Sequence, residues 1–65
     1  MKSEIKIEWT TGPNINAFYN GEESTVVYGD FNVYEIEEEL LAEAKRKMQI
    51  PYLKRTRTTV TRLDA

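Results

Sequence analysis

Carboxylates carry most of the chemistry this sequence could do: eleven Asp and Glu stand against nine Lys and Arg, with no histidine and no cysteine. Without histidine the commonest general base and the commonest metal ligand are missing. Without cysteine there is no thiol nucleophile, thiolate metal site or disulfide framework. A triad or dyad has nothing to build on. The glutamates from Glu35 to Glu39 could in principle pair for acid–base work, but a solvated helix start offers no contrast of environments between two carboxylates. Gly12, Gly21 and Gly29 are isolated turn glycines, not a phosphate-cradling loop. The acids also lack the alternation and central glycine of a calcium loop. The expectation is a protein that is not an enzyme and holds no cofactor and no metal.

What remains is binding, and the charges are strongly divided for it. Residues 1–43 hold ten acids against Lys2 and Lys6, a net of −8, while residues 44–65 hold seven bases against Asp64, a net of +6. The overall charge of −2 hides this split.

The elements that must position these charges are readable. Glu4 to Thr10 alternates, with Ile5, Ile7 and Trp9 on one side and Lys6, Glu8 and Thr10 on the other, a half-buried strand. Thr11-Gly12-Pro13-Asn14 breaks it. Ile15–Tyr19 is a weaker strand, and Asn20-Gly21 suits a type I′ hairpin turn into a strand over Ser24–Tyr28. Asn32 can cap a helix and Glu35 can close the capping box, with Phe31 and Ile36 as a hydrophobic staple. Val33, Ile36, Leu40, Ala44 and Met48 share one helical face. Acids crowd the first turns and Lys45-Arg46-Lys47 the last, both favourable to the helix dipole. Ile50-Pro51 stops the helix. Arg55 to Leu63 is rich in threonine and reads as an exposed edge strand whose arginines discourage uncontrolled pairing. The expected fold is one α+β domain over residues 1–65, in β-β-β-α-β order, with a mostly antiparallel sheet and one helix on one face. Its expected core is Ile5, Ile7, Trp9, Val27, Ile36, Leu40, Ala44 and Val60.

A chain this short sits near the lower size limit for an independent core, so self-association as a homodimer, through the last strand or the helix, is expected. No signal-peptide run opens the sequence and no stretch has the roughly 20 apolar residues of a membrane span, so a cytoplasmic protein without a membrane partner is expected.

Two surfaces compete for a partner. Glu35, Glu38, Glu39 and Glu43 lie on the polar side of the helix, and Asp30, Glu22 and Glu23 can add to their field from nearby turns. A rigid array of carboxylates can stand in for nucleic-acid phosphates and occupy a basic groove on a DNA-binding protein. Alternatively, Arg55, Arg57 and Arg62 could contact phosphates directly in a small dimeric nucleic-acid-binding protein. The acidic surface is the preferred one, because the overall charge is negative.

The short length, the lack of cysteine, the uneven charge and the strand–helix–strand run from Thr25 to Leu63 resemble the small proteins that bacteriophages use to disable host machinery. Some of those imitate DNA against histone-like nucleoid proteins and others bind RNA polymerase. The resemblance implies a non-enzymatic inhibitor or adaptor with a basic host protein as partner, a histone-like protein first and RNA polymerase next.

Overall fold

The computed structural model describes residues 1–11 and 20–64. Their order is β1 (Lys2–Thr10), β2 (Asn20–Tyr28), α1 (Val33–Met48) and β3 (Lys54–Arg62). The strands form one antiparallel sheet in the order β2-β1-β3, with the helix against one face, so the fold is α+β as the patterning indicates. The strand expected over Ile15–Tyr19 and most of the turn before it lie outside the described residues.

The central strand takes the sequence's cleanest alternation. Ser3, Ile5, Ile7 and Trp9 are buried under the helix, while Glu4, Lys6, Glu8 and Thr10 line the open face. Two apolar clusters follow. Ile5, Ile7 and Leu40 gather Val27, Phe31, Ile36 and Leu41 around them, and Trp9, Ala44 and Leu53 gather Leu41 and Ile50. Five of the eight expected core residues are buried, with Val27 and Ile36 packed at their rim. Val60 is the exception, at 46% exposed. The helix lies over β2 and β1 and reaches β3 least, so the apolar side chain at the far strand is left uncovered. Leu53, just before β3, is buried in its stead.

Asn20-Gly21 is not a hairpin turn. Both residues belong to β2, where Asn20 faces Thr10 and Gly21 faces Trp9. The glycine is there for space: a Cβ built on it would fall among the ring atoms of the Trp9 indole. The large side chain of the central strand lies flat over its neighbour, and only a residue without a side chain admits it.

The helix begins as its sequence requires. Asn32 Oδ1 accepts from the backbone N–H of Tyr34 at 2.9 Å and of Glu35 at 3.4 Å. It ends at Met48, with Gln49 in the left-handed region at φ 58° and the Ile50 N–H returned to the Lys45 carbonyl at 3.1 Å. The Lys45 carbonyl accepts from the Gln49 N–H as well, and this shared closure ends the helix before Pro51 takes effect. On the β1–β3 side the register slips between Glu8 and Trp9. Thr56 is the extra residue, and its hydroxyl donates to the Glu8 carbonyl at 3.2 Å.

Candidate binding surface

The helix sorts the acidic residues by direction. Leu40 and Ala44 mark its buried line. At 100° per residue Glu35, Glu38 and Glu39 fall on the opposite side, and all three are exposed. Neighbours three or four apart hold their Cβ atoms about 5–6 Å from one another. Asp30 is exposed at the same end, two residues ahead of the cap. Among the described residues these four carboxylates make no ion pair. The local reason lies in the spacing. Four residues beyond Glu35, Glu38 and Glu39 stand Glu39, Ala42 and Glu43, so no base occupies the position that would neutralise them.

The other three candidate acids are engaged. Glu43 pairs with Arg46 three residues on. Glu23 meets Lys47 at 3.2 Å, its side chain only 17% exposed, on the helix side of β2. Glu22 meets Lys6 at 3.6 Å on the open face, away from the helix. That face has its own reason for the contact. Glu8 and Glu22 are directly opposed across the strands, and Lys6 and Arg57 flank them to offset the repulsion. The structure thus leaves Asp30, Glu35, Glu38 and Glu39 unpaired at one end of the helix; Glu43 stands one turn beyond Glu39 but is paired with Arg46, and Glu22 and Glu23 lie on β2.

The basic candidates do not gather. Arg57 lies 3.8 Å from Glu8 on the open face. Arg55 turns to the helix side, 3.7 Å from Glu37, and donates to the Thr58 hydroxyl at 3.0 Å. Arg62 makes no ion pair among the described residues, and seven residues of strand, roughly 23 Å, separate it from Arg55.

Glu37 is the functional-looking acid whose role is structural. It sits on the β3 flank of the helix, its side chain 14% exposed, and accepts from the Thr58 hydroxyl while facing Arg55. Nothing local marks it, because its partners lie some 20 residues away in another element.

Among the described residues no group of three or more acidic, histidine or cysteine side chains could hold a metal ion, and no helix is long and apolar enough to cross a membrane. Comparison with family models, with curated proteins and with solved structures gives no match.

Proposed function

We propose that the protein is a non-catalytic binding module, an inhibitor or adaptor, whose outer helix face engages the basic surface of a DNA-binding protein. One observation carries this reading. Glu35, Glu38 and Glu39 on the helix, and Asp30 just ahead of its cap, are exposed with no ion pair among the described residues, whereas the bases are paired or scattered over both faces. A helix rises 1.5 Å per residue, so carboxylates three and four apart are about 4.5–6 Å apart along its axis. Nucleic-acid charge recurs about every 3.4 Å of axis along one strand, so the array spans one to two phosphate steps. A groove built to bind phosphates would meet charge of the right sign and scale, and the long-range field would speed the encounter. A histone-like nucleoid protein is the preferred partner and RNA polymerase the next, the host-directed role of the small bacteriophage proteins the sequence resembles.

Direct nucleic-acid binding through Arg55, Arg57 and Arg62 is the weaker reading, since two of the three are already occupied by carboxylates and they point to different faces. Affinity capture from bacterial lysate, with and without nuclease, separates the two. A basic DNA-binding protein that stays bound after nuclease and is displaced by added DNA supports the acidic face. Retention that disappears with nuclease sinks it.

A further inference from the structure

In the order β2-β1-β3 the last strand has no neighbour on its outer side among the described residues. Leu63 donates its N–H to the Lys2 carbonyl at 2.9 Å, which fixes the alternation along the strand. Arg57, Thr59 and Thr61 direct their backbone groups to β1, and Thr58, Val60 and Arg62 direct theirs outward. Such a free row is a template for another strand. The same three side chains point to the helix side, where the helix covers β3 least. There Val60 is 46% exposed, and Tyr34, on the β3 flank of the helix, is 79% exposed.

We infer that this edge pairs antiparallel with β3 of a second copy, Val60 facing Val60 across the two-fold axis. The register follows from charge and from the bulge. Centred on Val60, the pairing uses residues 57–63, all beyond the irregularity at Thr56. Arg62 then lies opposite Thr58 of the second copy and Arg57 opposite Leu63, so no two like charges are directly opposed. Centred on Thr58 instead, Lys54 would face Arg62 and both strands would run through the bulge. Centred on Thr59, Arg62 would face the bulged Thr56.

The Val60 register also satisfies a charge. Arg62 has no carboxylate partner among the described residues of its own chain, and Thr58, which it meets across the interface, is held by Glu37. The second copy therefore brings a carboxylate to within reach of Arg62, twice by symmetry. That complementarity makes a second copy of this chain the occupant of the edge. The axis stands perpendicular to the sheet, which joins the three described strands of each copy into one sheet with both helices on one side. The pairing does not depend on the acidic-face reading, although it would present two such faces together.

Sedimentation equilibrium of the full chain is expected to give twice the 7.6 kDa chain mass in the micromolar range. Val60→Pro removes no hydrogen bond among the described residues, because this N–H faces outward, and should give a monomer with an unchanged circular dichroism spectrum. In the cysteine-free background, Val60→Cys should crosslink to dimer under mild oxidation, since opposed Cα atoms about 5.5 Å apart lie within disulfide span. Thr58→Cys, offset from its own symmetry mate by about 13 Å along the strand, should not. A monomer mass for the unaltered chain overturns the inference. So does equal crosslinking of the two cysteine variants, which decides the matter even if the proline variant does not fold.

Discussion

Replacing Gly21 with alanine tests the packing that corrects the sequence reading of Asn20-Gly21. The new methyl carbon would lie 2.7 Å from two of the indole carbons of Trp9, inside van der Waals contact, and the neighbour is a ring that cannot yield at its far end. Either the indole rotates out of its site between Ala44 and Leu53 or the two strands part. Overpacking of this kind costs about 1–3 kcal/mol, and the relief of glycine's chain entropy in a strand returns about 0.5–1 kcal/mol. An approach this close to a ring puts the cost in the upper half of that range, so the net loss is about 1–2.5 kcal/mol. For a domain of this size each kcal/mol moves the melting temperature by about 4–8 °C, so a fall of roughly 4–20 °C is expected. Trp9 is the only tryptophan, so its fluorescence reports the site alone, and the emission of the folded variant should shift to the red. Ser24→Ala, exposed on the same strand, serves as the control and should change neither quantity. A Gly21→Ala protein that melts at or above the original temperature, with unshifted emission, would refute the proposed close approach.

Three further substitutions probe the helix and the core by thermal or urea unfolding. Asn32→Ala removes the acceptor of two backbone N–H groups and should cost about 0.5–2 kcal/mol. Gln49→Gly relieves a left-handed conformation at the helix end and should gain about 0.5–1 kcal/mol, after allowance for the more flexible unfolded chain. Ile7→Ala empties a site that is 0% exposed and should cost about 2–5 kcal/mol. A domain of this length holds in all about 3–10 kcal/mol, so a measurable unfolded fraction of Ile7→Ala at room temperature is expected from circular dichroism.

The helix and the central strand were legible because their signals are local. Asn32, the spacing of Ile36, Leu40 and Ala44, and the alternation through Ile5, Ile7 and Trp9 each act over a few residues. Asn20-Gly21 misled because turn propensity and space for an indole select the same residue, and only the cross-strand register distinguishes them. Val60 looked like core because it is apolar in a strand, yet its burial depends on where the helix lies across the sheet. Leu53 carried the opposite error, a single apolar residue between Tyr52 and Lys54 that turns under Trp9. The acidic surface was visible as composition. Its division into paired and unpaired carboxylates was not, because Lys47 and Glu23 are 24 residues apart and Thr58 and Glu37 are 21 apart. Glu43 alone could have been set aside from sequence, by the arginine three positions beyond it.

The most direct test of the acidic helix face is the affinity of the double reversal Glu38→Lys, Glu39→Lys for a purified histone-like DNA-binding protein, read by titration calorimetry at low and moderate salt. Both side chains are exposed and without an ion pair among the described residues, so the fold should survive, checked by circular dichroism. Affinity should fall at least tenfold, about 1.4 kcal/mol, with a flatter salt dependence, while Lys54→Glu binds as tightly as the unaltered chain or more so. A folded double variant that binds as tightly as the original, with the same salt dependence, would contradict the assignment of this face.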